Sequence, residues 1–491
     1  MSLKKYNFWL IVGSQDLYGE DVLKQVNEHA KEMVDGFNAD PAIPGTVVFK
    51  PVVRNSQEIY DTIAAANNDP DCAGIMTWMH TFSPSKMWIP GLSILNKPYL
   101  HLNTQYNRDI PWDTIDMDFM NLNQSAHGDR EHGFIGARMR LNRKVIAGYW
   151  KDEIFRSDMA VWMRAAAGAA ASRKVRVLRF GDNMRNVAVT DGDKIEAAIK
   201  LGWRVDYYGV GDYIKLVEAV TDAEIDAKMA EYNELYIMDT DDIESVRYQA
   251  REQVALEKFL KDGNFCAVTT NFEDLQQLKQ LPGLACQDIM RKGYGFGGEG
   301  DWKVAAMTHI MKLMADGLEG GTAFMEDYTY NLEPGNEMIL GAHMLEVCPT
   351  LAKDKPKIQV HPLGIGDREP PARVVFDTPA GKGIVVSLID LGDRLRMIVN
   401  DIECVEHPHK MPNLPVAGVL WKPMPDLKTS AQAWIYAGGA HHSVLSYALT
   451  ADHMRDLAEI LDIEFIHINK DTDINQFRKE LAWNEAAWKN K

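Results

Sequence analysis

The sequence predicts an α/β protein with two parallel-sheet units followed by a β-rich, antiparallel and barrel-like C-terminal region. Short apolar runs alternate with segments of helical periodicity up to about residue 325, which is typical of parallel sheets covered by helices. The alternation begins again near residue 173, which indicates a second unit. Beyond residue 325, the alternation of strands and helices gives way to short β-type runs separated by Gly, Pro and Asp, which is typical of antiparallel sheets and barrels.

The first unit follows a strand–helix order. An apolar run at Phe8–Val12 stops at a Gly-Ser pair, and apolar residues from Leu23 to Phe37 then recur at helical spacing. The next strands are predicted at Val47–Val53, Ala73–Trp78 and Pro98–Leu102, with a helix at Ile59–Ala65. Ligands of parallel sheets gather at the carboxyl ends of the strands. Here those ends carry the polar segments SQD (14–16), HT (80–81) and NTQ (103–105), which suit a ligand rich in hydroxyl groups.

The second unit starts after a small-residue stretch, Ala165–Arg173, which is the candidate boundary. Its strands are predicted at Val175–Phe180, Arg204–Tyr208 and Phe265–Thr270, and its helices at Lys194–Leu201 and Glu252–Leu260. Four runs in the C-terminal region predict antiparallel strands at Ile358–Val360, Ala372–Asp377, Gly383–Asp390 and Arg394–Asn400, with a later helix at Ala451–Leu461. The predicted domains are therefore 1–170, 171–325 and 326–491.

Length, charge and cysteine usage exclude several classes of protein. A chain of 491 residues exceeds one core and fits about three domains. The net charge of −17 disfavours nucleic acid and anionic membranes as partners, because both need basic patches. No apolar run reaches the roughly 18 residues of a membrane span.

The cellular compartment is predicted from the cysteines and the N-terminus. The five cysteines form no CxxC pair and lie mostly in apolar runs, so free buried thiols are expected. The apolar run in MSLKKYNFWLIVG lacks a small-residue cleavage site and is interpreted as a first strand, not a signal peptide. We therefore expect a cytoplasmic protein.

Candidate catalytic residues are concentrated in glycine-rich and aromatic segments. Glu299 in GFGGEGDWK and Glu326 in FMEDYTY lie in segments too rich in glycine and aromatic residues for solvated helix faces. For Glu326, which is bounded by aromatic residues, an unpaired buried carboxylate would be costly. His343 follows in GAHMLE, and His441 and His442 form a pair in AGGAHHS. Such Glu and His side chains can hold a divalent metal ion, and carboxylates beside it can move protons. We therefore expect an enzyme, with one of the paired histidines as a ligand and the other as a neighbouring contact.

Alternative interpretations apply to several of these positions. The segment GYGFGG (293–298) matches GxGxxG, but a helical segment precedes it where a dinucleotide site needs a strand, so no nucleotide cofactor is expected. Its glycines instead let the backbone turn and project Glu299 into a cavity. Asp301 is interpreted as the start of a helix at Trp302–Met314, stabilised by the helix dipole. The structural alternative for Glu326 is a surface position on a strand.

His127 has two open interpretations. It lies in a polar segment, NLNQSAHGDREHG, before a predicted helix. Its structural role would be a hydrogen bond at the helix start, and its functional role would be substrate binding or proton transfer.

Many motifs, in chain order, resemble those of the bacterial L-arabinose isomerase family. They are GSQDLYG, HTFSPSKMWI, DMDFMNLNQSAHG, RFGDNMR, VAVTDGDK, TTNFEDL, LPGLA, GFGGEGDWK, FMEDYTY, GAHMLEVCP, HPLGIG and AGGAHHS. The resemblance covers nearly the whole chain, and many of the motifs are specific to that family. It implies a fucose-isomerase-like fold, in which two Rossmann-like parallel-sheet domains precede a β-rich domain. It also implies an aldose–ketose isomerase that converts L-arabinose to L-ribulose.

The same resemblance implies the residues of the site. The metal ligands would be Glu299, Glu326, His343 and His442, holding Mn²⁺, with Co²⁺ or Mg²⁺ as substitutes. The substrate contacts would be Gln15, Leu17, Tyr18, His127, Met184, Phe272 and His441. Family assemblies are hexamers with active sites shared between subunits, so the first four contacts would come from a neighbouring subunit.

The expected mechanism is a metal-assisted proton transfer. Glu326 would remove the C2 proton to give a cis-enediol, and Glu299 would relay protons between O1 and O2. These individual roles stay open because neighbouring carboxylates titrate as a coupled set, and a hydride shift needs the same residues. D-galactose, giving D-tagatose, is a candidate second substrate. An alternative outside the enzymes is a sugar-binding or sensor protein without turnover, and the set of Glu and His residues argues against it. Another enzyme class, a glycosidase with paired carboxylates, would not need the histidines.

Overall fold

A computed structural model describes residues 2–364 and 367–489. The chain divides into two compact units, one of Ser2–Ala170 with Arg455–Ile460, and one of Ala171–Met454 with Leu461–Lys491. The predicted fold class is confirmed, because two parallel sheets are followed by a large, mainly antiparallel sheet. The finer division into domains 1–170, 171–325 and 326–491 stays a prediction.

The N-terminal unit alternates strands and helices. Its strands are β1 (Asn7–Gly13), β2 (Thr46–Phe49), β3 (Cys72–Met79), β4 (Tyr99–Asn103) and β5 (Lys144–Ala147). Its helices are α1 (Gly19–Asn38), α2 (Ser56–Asn68), α3 (Ile89–Leu92), α4 (Met117–Leu122), α5 (Ser125–Arg138) and α6 (Glu153–Ser172). The strands pair in parallel in the order β2-β1-β3-β4-β5. Every residue of β3 is buried, as expected of a central strand covered on both faces.

Polar residues meet at the carboxyl edge of this sheet, as predicted. The Ser14 and Thr81 hydroxyl groups are hydrogen-bonded at 2.7 Å. The Asn103 side-chain amide donates to the Asp129 carboxylate at 2.6 Å. Because Asp129 lies in the second turn of α5, this bond links the N-terminal half of the helix to the end of β4.

The second parallel sheet opens the other unit. Its strands are β6 (Arg176–Phe180), β7 (Arg204–Tyr208), β9 (Ala267–Thr269) and β10 (Gly295–Gly297), while β8 (Ile237–Met238) belongs to a small separate sheet. The helices are α7 (Lys194–Lys200), α8 (Val210–Ala219), α9 (Asp222–Leu235), α10 (Ile243–Asp262), α11 (Gly283–Arg291) and α12 (Trp302–Met314). The strand order is β10-β9-β6-β7, with parallel pairing throughout.

The remaining strands are mainly antiparallel. They are β11 (Thr322–Asn331), β12 (Met338–Ala342), β13 (Lys357–Val360), β14 (Ala372–Val375), β15 (Gly381–Asp390), β16 (Leu395–Val405), β17 (Val419–Pro423), β18 (His442–Ser446) and β19 (Glu464–Ile468). The helices are α13 (Leu427–Ala437), α14 (Ala451–Leu461) and α15 (Ile474–Trp488). The order β15-β18-β11-β12-β17-β16 closes on itself through the β15–β16 pairing, so six antiparallel strands form the predicted barrel.

A buried cluster of charged side chains links β19 to the barrel strand β16. The carboxylate of Glu464 accepts from Arg394 at 2.6 Å and from Arg396 at 2.9 Å. All three side chains are buried. Since β19 pairs in parallel with β16, this cluster stabilises an addition to an otherwise antiparallel barrel.

Three sequence predictions differ from the structure. The second strand ends at Phe49 and not at Val53, whose backbone forms only an isolated bridge with Gly13. The predicted boundary stretch is helical as far as Ser172, because its many alanines favour a helix. Within GYGFGG, the segment Gly295–Gly297 is a strand, where only a loop was predicted.

Further features of the sequence can be compared with the described residues. The motif HPLGIG extends over Ile365 and Gly366, which lie outside them. The five cysteines are free; four of them are buried and Cys266 is partly exposed, which confirms the prediction of free, mostly buried thiols. Among the described helices, none has the length and apolarity needed to cross a membrane.

Candidate metal centre

Three neighbouring barrel strands bring distant residues together. Glu326 on β11 pairs with His442, the first residue of β18, on one side. On its other side Glu326 pairs with Ala342 at the end of β12, and His343 follows directly. Paired residues of antiparallel strands lie about 5 Å apart. The barrel register therefore assembles one carboxylate and two imidazoles.

A tight turn from the parallel sheet supplies the second carboxylate. Glu299 lies between β10 and α12 in a left-handed backbone conformation, with φ of 60°. A Cβ atom added at Gly298 would lie 2.9 Å from the Nε2 atom of His343. Glycine is therefore needed here for the turn to approach the imidazole, which agrees with the predicted role of the glycines in projecting Glu299.

The Glu and His side chains form two overlapping groups with the spacing of a metal site. Glu299, His343 and His442 offer ligand atoms that all lie within 4.8 Å of one another, as do Glu326, His441 and His442. Nε2 of His442 is 3.8 Å from a Glu299 oxygen, and Nε2 of His343 is 3.9 Å from a Glu326 oxygen. The four predicted ligands are thus brought together, with His441 beside them.

Carboxylates behind the histidines fix their orientation. The Nδ1–H of His343 donates to Glu346 at 2.6 Å, and the Nδ1–H of His442 donates to Asp301 at 3.2 Å. An ionised carboxylate can only accept, so both rings carry their proton on Nδ1. Each Nε2 lone pair therefore remains for a ligand, and the buried Nε2 of His442 has no hydrogen-bond partner among residues 2–364 and 367–489. This carboxylate–histidine arrangement and the mixed oxygen and nitrogen donors fit a divalent metal ion.

The charges of the cluster support one another. Burial raises the pKa of Glu299, but the hydrogen bond from His441 and the charges of the nearby histidines outweigh it and hold the pKa below its usual value. The hydrogen bond to Glu299 raises the pKa of His441. Burial would lower the pKa of His343, yet the Glu346 carboxylate raises it. Glu299 is therefore an ionised carboxylate near neutral pH.

Two of the predicted substrate contacts lie in loops beside this cluster. The backbone N–H of Met184 donates to the carbonyl of Glu299 at 2.9 Å. Phe272 lies in the loop after β9, a strand that neighbours both β10 and β6. These loops follow the carboxyl ends of adjacent parallel strands, the edge at which ligands of such sheets bind. His441 completes this group through its 3.4 Å contact with Glu299.

The other four predicted contacts lie in the N-terminal unit. The side-chain amide of Gln15 donates to the carbonyl of Phe82 at 3.2 Å, and the Phe82 ring lies 4.8 Å from that of His127. Leu17 is 84% exposed, and Tyr18 is partly exposed beside it. These residues therefore gather at one edge of the parallel sheet. His127 is exposed, and its Nδ1 atom is hydrogen-bonded to the side-chain oxygen of Gln124 at 3.1 Å. The predicted hydrogen bond at the helix start is therefore present, and it uses only one of the two ring nitrogens.

Sequence reasoning missed the carboxylates behind the histidines. Asp301 does cap α12, as predicted, by accepting from two backbone N–H groups, but it also contacts His442. No local pattern singles out Glu346, although it lies three residues after His343 and contacts its Nδ1 atom. Asp327 was missed as well; burial and the charge of Glu326 raise the pKa of this carboxyl group to about 7.

The comparisons with known proteins agree along the full chain. Models of the L-arabinose isomerase N-terminal, central and C-terminal domains match residues 2–174, 176–317 and 321–464. An ABC sugar transporter (periplasmic sugar binding protein) from Legionella pneumophila aligns over 64% of this chain and 95% of its own, at 12% identity. Its TM-score of 0.13 is too low to carry an argument.

Full-length relatives have much higher identity. An L-arabinose isomerase of Thermotoga petrophila is 55% identical over 99% of both chains. One of Geobacillus stearothermophilus is 56% identical over 100% of both chains. L-arabinose isomerase 1 of Bacillus licheniformis is 58% identical over 99% of this chain and 98% of its own. With three domain models and full-length relatives in agreement, the chain belongs to the L-arabinose isomerase family.

Proposed function

We propose that this protein is a metal-dependent aldose–ketose isomerase that converts L-arabinose to L-ribulose, the first step of L-arabinose catabolism. Family membership over the full chain supports the reaction and the substrate. One observation carries the metal dependence. In both His343 and His442, Nδ1 is hydrogen-bonded to a buried carboxylate and Nε2 lies near a glutamate oxygen. This arrangement suits the binding of a cation better than a purely structural set of hydrogen bonds.

The proposed ligands are Glu299, Glu326, His343 and His442. A donor set of two carboxylates and two imidazoles suits Mn²⁺, with Co²⁺ or Mg²⁺ as substitutes. When bound, the ion would act as a Lewis acid toward the carbonyl and hydroxyl oxygens of the open-chain sugar. The carboxylates Glu346 and Asp301 would hold the two imidazoles in place.

The proton transfers are assigned to the two glutamates. We propose that Glu326 removes the proton from C2, which gives a cis-enediol, and that the proton is returned at C1. Glu299 would relay a proton between O1 and O2; its lowered pKa keeps it ionised, and His441 holds it at 3.4 Å. A general base must reach the proton that it abstracts, and the position of Glu326 between His442 and His343 on neighbouring barrel strands supports its assignment as that base.

Isomerisation in heavy water tests the proton-transfer mechanism. The proton that Glu326 takes from C2 would exchange with solvent while the enediol is present, so deuterium should appear at C1 of L-ribulose. L-ribulose without solvent deuterium at C1 would favour a hydride shift between C2 and C1 instead.

The reaction and the metal are tested together by one assay. Protein stripped with EDTA should form no L-ribulose from L-arabinose, and added Mn²⁺ should restore the activity. Glu299→Ala should reduce turnover by several orders of magnitude and still fold. A folded wild-type protein that binds the sugar without turning it over, with any divalent metal, would support a sugar-binding or sensor protein.

The assembly and setting are also proposals. We propose a homohexamer in which Gln15, Leu17, Tyr18 and His127 contribute to a neighbouring subunit's site; their clustering at one exposed edge supports this. Sedimentation velocity would measure the mass of the assembly.

D-galactose is a proposed second substrate, since rejecting one extra CH₂OH group is worth only about 1–3 kcal/mol. Five free thiols fit a reducing cytoplasm.

A further inference from the structure

Glu299 is held in an unfavourable backbone conformation. Its φ of 60° and the φ of 80° at Gly300 place two successive residues in the left-handed region. Glycine adopts that region freely, whereas glutamate does so at a cost in energy. Such a conformation persists only where the surrounding structure holds it. The backbone groups that hold this turn therefore decide where the Glu299 carboxylate points.

Three hydrogen bonds join the turn to two neighbouring loops, in addition to the bonds within it from the Asp301 and Trp302 N–H groups to the Gly298 and Gly300 carbonyls, both at 2.8 Å. The N–H of Met184 donates to the Glu299 carbonyl at 2.9 Å, and the N–H of Gly300 donates to the Thr270 carbonyl at 2.9 Å. The third comes from a side chain, since the amide of Asn183 donates to the Gly300 carbonyl at 3.1 Å. Backbone bonds survive most substitutions, so among these three bonds only that of Asn183 depends on a particular side chain.

The Asn183 amide is itself fixed in orientation. Its oxygen accepts from Arg179 at 2.5 Å, which directs its nitrogen to the carbonyls of Thr190 and Gly300, at 2.6 and 3.1 Å. The side chain is buried, with 7% exposure. A Cβ atom at Gly300 would lie 2.5 Å from the Cα atom of Asn183, so the two loops are in direct backbone contact.

We propose that Asn183 is a positioning residue for Glu299. By holding the carbonyl of Gly300, the amide sets the turn and thereby the position of the Glu299 carboxylate relative to the imidazole of His442. Asn183 contributes no atom to the cluster; it acts through Glu299. The inference rests on the proposed function, in which Glu299 is a metal ligand and a proton relay.

The test compares Asn183→Asp with a matched control, Asn400→Asp. Both asparagines are buried, and the side-chain nitrogen of Asn400 donates to the carbonyls of Asp401, Met424 and Ile468. Neither these partners nor Ser430, which donates to the Asn400 oxygen, belongs to the metal cluster. Each substitution replaces an amide donor by a carboxylate of equal size. Asn183→Ala is the second variant, because it removes the donor without adding charge.

Mn²⁺ affinity of the stripped proteins is measured by electron paramagnetic resonance, and kcat, KM and the thermal midpoint are measured separately. Loss of a residue that orients a ligand costs about 10–100-fold in metal affinity or activity. We expect such a loss in Mn²⁺ affinity and in kcat for both Asn183 variants, with KM for L-arabinose little changed. Asn400→Asp should lower the thermal midpoint while leaving affinity and kcat near the wild-type values.

Three results would overturn the inference, and they are distinguishable. If a folded Asn183 variant keeps Mn²⁺ affinity and kcat within about twofold of wild type, below the expected 10–100-fold, Asn183 does not position Glu299. If the Asn400 control loses both to the same degree, the effect is one of general stability. Failure of the wild-type protein itself to bind Mn²⁺ would overturn the proposed function and this inference with it. Should Asn183→Asp not fold, Asn183→Ala decides.

Discussion

Replacing Glu346 by glutamine should weaken metal binding without touching a ligand. The Glu346 carboxylate is 2% exposed and accepts from His343 Nδ1 at 2.6 Å and from the Leu345 N–H at 3.0 Å. Glutamine keeps the size and one acceptor oxygen. It removes the negative charge that holds the imidazole and raises its pKa.

The expected size of the effect follows from this hydrogen bond. A hydrogen bond to a charged group contributes about 1.5–3 kcal/mol, against about 1 kcal/mol for a neutral one. The short distance and the burial of Glu346 place it at the upper end of that range. Losing about 1.5–2 kcal/mol corresponds to roughly 10–30-fold weaker Mn²⁺ binding, because 1.36 kcal/mol is tenfold. This agrees with the 10–100-fold that is typical of carboxylates behind metal-binding histidines.

The assay is titration of stripped protein with Mn²⁺, followed by calorimetry or electron paramagnetic resonance. Glu252→Gln is the control for replacing a buried glutamate by glutamine, since the Glu252 carboxyl group is fully buried outside the candidate metal cluster and its oxygen accepts from Gln249 at 2.6 Å. It should leave Mn²⁺ affinity unchanged. Equal affinity in Glu346→Gln and wild type, with the fold intact, would refute the argument that this carboxylate orients His343; so would an equal loss in both variants.

Three other predictions concern the turn, a buried acid and the cluster of charged side chains around Glu464. Gly298→Ala should weaken Mn²⁺ binding at least about tenfold in the same titration, because its methyl group would displace His343. Burial raises the pKa of Glu252, so the unfolded chain releases a proton that the folded protein keeps. Glu252→Gln should therefore raise the thermal midpoint at pH 8 but not near pH 4, below the unfolded pKa of about 4.3. Glu464→Ala should lower the free energy of unfolding by about 3–5 kcal/mol in denaturant titrations, because among the described residues it leaves the buried guanidinium group of Arg396 without a carboxylate partner, whereas Arg394 keeps Asp393 and Glu485.

The elements predicted well are those with strong local patterns. The helix Trp302–Met314 and the strand Arg204–Tyr208 have the bounds that the sequence predicts. Apolar periodicity and flanking turn residues determine such elements locally. By contrast, Gly295–Gly297 is a strand only because it pairs with Ala267–Thr269, and glycine has little preference for a strand by itself. A pairing between distant segments gives no local signal.

In the candidate site, too, the residues that were predicted are those with distinctive local sequence. Glu299 and Glu326 were predicted from their unusual local surroundings, glycines in one case and aromatic residues in the other. The carboxylates of Asp301 and Glu346 were missed because their role depends on which imidazole they face. That is set by the register of β11 with β18 and β12, between segments far apart in the chain.

The helix α12 links the two parts of the structure that supply residues to the candidate metal centre. Two imidazoles and Glu326 are held by barrel strands, whose pairing cannot slip by one residue without turning Glu326 to the other face. Glu299 instead belongs to the end of the parallel sheet. The helix α12 packs against β9 and β10 of that sheet and against β11 and β18 of the barrel, and nearly all of its residues are buried. Because close-packed interiors transmit small displacements, α12 fixes the distance between the carboxylate of Glu299 and the imidazoles. The geometry of the candidate metal centre thus depends on the packing between two sheets as well as on the residues that form it.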